Sequence, residues 1–184
     1  MFSPVSRTAF AQTATDLTAY NDPPSRLRGV IEKYDDDVGF LNRFYTAQTS
    51  PKRIARFKQL YTDEAALVTG INFDVLNHDE QVDYILFKNY LDHELKEQSR
   101  FEAQLTEMAD LIPFSRTIND LEDTRRTLKD IDQAKSAATL NDLAKQIVAT
   151  QAAFTGPNAV KPKRTVANRA VRTVDGLRRT LRNW

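Results

Sequence analysis

The chain has 184 residues, of which 26 are basic, 25 acidic and two histidine, with no cysteine. At roughly 150 residues per domain it is one domain or one large piece of something longer, and an apolar fraction of 41% suffices for a core. The lack of cysteine excludes disulfides, thiolate metal sites and cysteine nucleophiles, and His78 and His93 alone cannot make a histidine cluster.

With five glycines, no Asn-Gly or Asp-Gly hairpin pair and no sustained two-residue alternation, the chain reads as all-α. About six helices in an antiparallel array are expected. Pro23-Pro24-Ser25 opens the first, because proline suits a helix's first turn, and Leu27, Val30, Ile31, Tyr34, Val38, Leu41 and Tyr45 form its apolar face. Ser50-Pro51 opens the second in the same way, with Ile54, Phe57, Leu60, Tyr61 and Leu67 as its stripe. Asn72 to Leu76 reads as a tight loop. Asn77 then caps a long third helix, near 78–110, and Glu80 three residues on completes a capping box. Pro113 ends that helix. Shorter helices are expected at 115–129 and 133–154. Gly156-Pro157 and Lys161-Pro162 mark a linker, and a last helix covers 165–184. No apolar run approaches the roughly 20 residues of a membrane-spanning helix.

Residues 1–22 are expected to be a flexible N-terminus, with 23–184 as the helical domain. Thr8-Ala9-Phe10-Ala11-Gln12 has the small-x-small spacing of a signal-peptidase site but no apolar core before it, so it reads either as a chance pattern or as the remnant of a secretory signal that starts upstream. At the other end the final helix runs to Trp184 without a glycine cap. Leu177, Leu181 and Trp184 are therefore expected to be an exposed, truncated packing surface, covered by a missing C-terminal region or by a second copy.

Candidate chemistry is sparse. His93-Glu94-Leu95-Lys96-Glu97 approaches the H-E-x-x-H zinc helix, in which two imidazoles four apart share one face. Its fifth residue is Glu97, so it reads as a charged helix surface. Asp35-Asp36-Asp37 lacks the spaced ligands and glycine turn of a calcium loop and reads as a solvated face. Asp120, Glu122 and Asp123 read as surface partners of Arg125 and Arg126, worth a few tenths of a kcal/mol per pair. No phosphate loop or nucleophile elbow is present, and neither a catalytic residue nor a metal ligand is assigned.

Charge is unevenly distributed. Residues 161–184 hold eight basic residues against Asp175 alone, a net +7 that leaves −6 for the rest of the chain. In helical projection Ala167, Ala170, Val171, Val174, Leu177, Leu181 and Trp184 share one face. Arg164, Arg169, Arg172, Arg178, Arg179 and Arg182 lie largely opposite. This basic amphipathic helix has two readings: a surface for an anionic partner, or a docked helix whose solvated face looks toward the acidic part of the chain. No aromatic residue interleaves the arginines, which argues against nucleic acid.

Dispersed segments carry a resemblance. They are Leu41-Asn42-Arg43-Phe44-Tyr45, Ser50-Pro51-Lys52-Arg53, Asn72-Phe73-Asp74-Val75-Leu76, Gln81-Val82-Asp83-Tyr84-Ile85-Leu86, Asn89-Tyr90-Leu91, Leu111-Ile112-Pro113-Phe114 and Ala167-Asn168-Arg169-Ala170. Over roughly residues 25–184 the chain resembles the N-terminal portion of the bacterial domain-of-unknown-function family numbered eight-eight-five, gluzincin-like zinc metallopeptidases that are often secreted. The resemblance implies a longer helical protein, with a periplasmic or extracellular location and a peptide substrate. It also implies zinc bound by an H-E-x-x-H helix beyond Trp184, so no cofactor is expected in this chain. The role it implies here is a non-catalytic wall of the substrate cleft. Its alternative is a stand-alone helical module that binds an anionic partner through the basic face.

Overall fold

A computed structural model describes residues 25–128, 130–157, 159 and 161–184. Among them are six α-helices and no strand: α1 (Arg28–Phe44), α2 (Pro51–Thr69), α3 (His78–Glu107), α4 (Ser115–Arg126), α5 (Gln133–Thr155) and α6 (Arg164–Arg182). The all-α reading holds. The expected signal remnant at Thr8 to Gln12, and the N-terminal segment that carries it, lie outside the described residues.

Local capping chemistry sets several helix starts. Ser50 accepts the amide of Arg53 at 3.4 Å, with Pro51 at the first helical position of α2. Asn77 accepts the Glu80 amide at 2.9 Å while the Glu80 carboxylate accepts the Asn77 amide at 3.0 Å, a complete capping box. Glu80 also accepts the Arg26 amide at 3.0 Å. That bond helps to hold Ser25 to Leu27 in a turn, and α1 consequently begins at Arg28 rather than at the proline pair. α3 ends sooner than Pro113, at Glu107, and a 3₁₀ turn over Ala109–Leu111 follows. Proline disfavours the helical conformation in the residue before it, and Ile112 is non-helical at φ −134° and ψ 46°.

The helices enclose two apolar cores. In the first, Tyr34 of α1 meets Phe57, Leu60, Tyr61 and Val68 of α2 and Phe87 and Leu91 of α3. Tyr34 stacks edge-on against Phe87 at 5.2 Å and against Tyr90 at 5.9 Å. α2 and α3 run antiparallel: residues 70–77 join their adjacent ends, and Lys58 of α2 pairs with Glu102, far along α3, at 3.3 Å. In the second core, Met108, Ile112, Phe114 and Ile118 meet Leu143 of α5 and Val166, Ala170 and Leu177 of α6.

Three expectations are corrected here. Leu177 is 3% exposed inside the second core, and Leu181 packs against it. The Trp184 indole N–H donates to the carbonyl of Leu121 at 2.9 Å. These residues are thus a packed face whose partners come from α4 and the second core, not a bare surface. The roll of α6 also differs. It docks through Val166, Ala170, Thr173, Leu177 and Leu181, which leaves Val171 61% and Val174 36% exposed. Two contacts to the end of α3 fix that roll: Arg169 pairs with Glu107 at 2.7 Å, and the Thr173 hydroxyl lies 3.5 Å from the Met108 sulfur.

The third correction concerns α4. Glu122 and Asp123 are buried, and they join the two cores through the loop at residues 45–50. The Thr46 hydroxyl donates to Glu122 at 2.9 Å. The Asn119 amide donates to the Thr49 carbonyl at 2.9 Å, and Lys52 pairs with Asp123 at 3.0 Å. Arg126 pairs with Asp123 and lies over the rings of Phe44, at 4.5 Å, and Tyr45, at 4.2 Å. Glu122 and Asp123 with their arginines are therefore a polar seam rather than surface pairs, whereas Asp120 is exposed and pairs on the surface with Arg116.

Candidate anion-binding cleft

The seam and α6 together border a cleft of about 510 Å³. From α6 come Arg169, Arg172, Thr173, Gly176, Arg179 and Thr180, which share a face because they recur at three, four and seven. Glu122 and Arg125 of α4, Thr46, Gln48 and Thr49 of the loop, and Phe101 of α3 also line it.

Two of its arginines are already paired. Arg125 donates to both oxygens of Glu122, at 2.8 and 2.6 Å, in the two-pronged geometry suited to a planar guanidinium. The Arg125 hydrogen bonds, with help from the Thr46 hydroxyl, hold the Glu122 carboxyl below the usual carboxylate range although burial opposes this. Glu122 in turn raises the pKa of Arg125. Arg169 is held by Glu107. Among the described residues no carboxylate lies within ion-pair distance of Arg172 or Arg179. Four guanidiniums and two carboxylates leave two positive charges at the cleft.

Of the six arginines read from the sequence, Arg169, Arg172 and Arg179 line this cleft. Arg178 and Arg182 border, with Arg179 and Asp175, a smaller depression of about 190 Å³. Arg164, at the start of α6, lines neither. Sequence reasoning missed Arg125, Gly176, Thr46 and Phe101. Phe101 brings an aromatic ring to the same cleft, but from a helix some 70 residues upstream, where no local pattern could announce it.

A second cavity of about 310 Å³ adjoins, and Gln48 and Phe101 line both. Arg53, Tyr61, Glu94 and Gln98 border it. Burial pushes the Tyr61 hydroxyl well above its ordinary pKa and lowers that of Arg53. The Gln98 side-chain nitrogen has no hydrogen-bond partner among the described residues. His93 is exposed on α3, and Asp35 and Asp36 are exposed on α1. Among the described residues no three His, Cys, Asp or Glu side chains converge as metal ligands, so no step through the zinc implied by the resemblance can be built here. No described helix is long and apolar enough to cross a membrane. Compared with protein-family models, curated proteins and solved structures, the chain matches none of them.

Proposed function

We propose that the chain is a non-catalytic helical module that binds an anionic ligand in the cleft between α6, α4 and the loop at residues 45–50. The observation that supports this reading is the excess of guanidinium there: Arg172 and Arg179 face a cavity whose own carboxylate, Glu122, is already bound to Arg125. Guanidinium binds carboxylate and phosphate through paired, charge-assisted hydrogen bonds. The test is retention on immobilised heparin at increasing salt, because binding to a polyanion releases counterions and weakens steeply as salt rises. Joint replacement of Arg172 and Arg179 by glutamine should remove salt-sensitive retention, whereas joint replacement of Arg178 and Arg182, outside the cleft, should not. An Arg172 and Arg179 variant retained like the wild type would contradict the reading.

The resemblance supplies a second proposal, in which the chain walls the peptide-substrate cleft of a longer zinc-peptidase-like protein. It draws support from the adjacency of the two cavities, which share Gln48 and Phe101 in their lining, and from arginines that suit a peptide's terminal carboxylate. In that case peptides with a free C-terminal carboxylate bind and their amides do not. The chain itself should take up no stoichiometric zinc. Tight zinc binding that disappears in His93→Ala would contradict it.

A further inference from the structure

Gly176 lies in the middle of α6 and lines the cleft. A glycine there weakens a helix relative to alanine, so its presence calls for a local reason. Conformation does not supply one, since no described glycine has positive φ. Packing within the chain does not either: a Cβ built at Gly176 meets nothing within 4 Å. Gly29 also has open space, but it lies exposed in the first turn of α1 and lines no cavity described above. At Gly176 the omitted side chain keeps the cleft open over the α6 backbone.

The residues around that opening form a pattern. Arg172-Thr173 stands one turn before Gly176 and Arg179-Thr180 one turn after, a seven-residue repetition that brings both pairs to the same face. The two arginines without a carboxylate partner therefore flank the open position on α6. The threonine hydroxyls donate along the helix, Thr173 to the Arg169 carbonyl at 3.1 Å and Thr180 to the Gly176 carbonyl at 3.2 Å.

We propose that the group admitted over Gly176 is the phosphate of a small organic phosphomonoester, clamped between Arg172 and Arg179. This rests on the anion-binding reading above and narrows it. A phosphomonoester carries close to two negative charges near neutrality, which matches the two unbalanced guanidiniums. A cleft of about 510 Å³ is in the size range of small-molecule sites and leaves room beyond a phosphate for an organic body, for which half-buried Phe101 provides apolar contact.

The experiment is calorimetric titration of the chain with phenyl phosphate, with inorganic phosphate at equal ionic strength as the comparison. Phenyl phosphate should bind at least about tenfold more tightly, from burial of its ring. Gly176→Phe, whose Cβ meets nothing within 4 Å, adds a ring at the cleft wall, and it should weaken phenyl phosphate at least about tenfold with an unchanged circular dichroism spectrum. Arg172→Gln and Arg179→Gln should each weaken it by a similar factor, and Arg164→Gln, outside the cleft, should not. Phenyl phosphate bound equally by Gly176→Phe overturns the proposal, as does inorganic phosphate binding as tightly as the ester. Arginine-dependent heparin retention without phenyl phosphate binding also overturns it, while leaving the broader anion-binding reading intact. Absence of both binding activities overturns the two together.

Discussion

Replacing Leu177 with alanine tests how α6 is seated, and through that the position of every arginine in the cleft. Leu177 is buried among Met108, Ile118 and Leu143, and its truncation removes three buried carbon groups. At about 0.8 kcal/mol each the transfer loss is roughly 2.4 kcal/mol. Incomplete collapse of the hole raises the expected cost to about 3–4 kcal/mol. Val171→Ala on the same helix is the matched control. Most of its side chain is already in water, and alanine's better helix propensity, worth up to about 0.7 kcal/mol, offsets the small loss of contact. Its net effect should stay within about 0.5 kcal/mol. Urea unfolding followed by far-ultraviolet circular dichroism measures both. Fluorescence of Trp184, the sole tryptophan, reports the α6 docking itself. A cost of 2 kcal/mol or more at Val171, or below about 1 kcal/mol at Leu177, would refute the observed roll of the helix.

Three further outcomes are expected. Asn77→Ala removes the cap of α3 and should cost about 1 kcal/mol in urea unfolding; a change below about 0.3 kcal/mol would mean that the capping box contributes little. Leu128 follows α4 with φ 50° and is 91% exposed, so Leu128→Gly should relieve left-handed strain and stabilise the chain by about 0.5–1 kcal/mol. A lower melting temperature in that variant would contradict the assignment. Acid should expose the Glu122 seam. Its native pKa lies below the ordinary 4.5, so its contribution is complete above pH 4.5. As the pH falls below that value the unfolded carboxyl takes up its proton first, and the contribution is gone once the native pKa has been passed. Melting temperatures measured across this range should therefore fall less steeply with acid in Glu122→Gln; a slope equal to that of the wild type would show that Glu122 is not stabilised by folding.

What the sequence revealed follows the range of the forces involved. The caps at Ser50 and Asn77 were legible because donor and acceptor lie within three residues of each other, whereas Pro113 placed the end of α3 only approximately, since the helix stops at Glu107. The roll of α6 was not legible. Val171 and Val174 count as apolar and Thr173 as polar in any projection, yet Thr173 turns its hydroxyl back onto the Arg169 carbonyl and can face the core. The burial of Glu122 and Asp123 was hidden more deeply. Spacings of three make Glu122–Arg125 and Asp123–Arg126 look like surface pairs, and only contacts to Thr46 and Lys52, about 70 residues away, bury them. For the cleft, the sequence supplied Arg169, Arg172 and Arg179, because charge density is a local property. It could not supply Phe101 or Arg125, which tertiary packing brings from α3 and α4.

The anion cleft is tested most directly by nuclear magnetic resonance of the ¹⁵N-labelled chain during titration with phenyl phosphate. Binding between α6, α4 and the loop predicts that amide shifts concentrate at Thr46 to Thr49, at Arg125 and from Arg172 to Thr180. Shifts that centre instead on the exposed apolar stripe of α3, at Val82, Ile85, Leu86 and Tyr90, or no shifts at all, would contradict it.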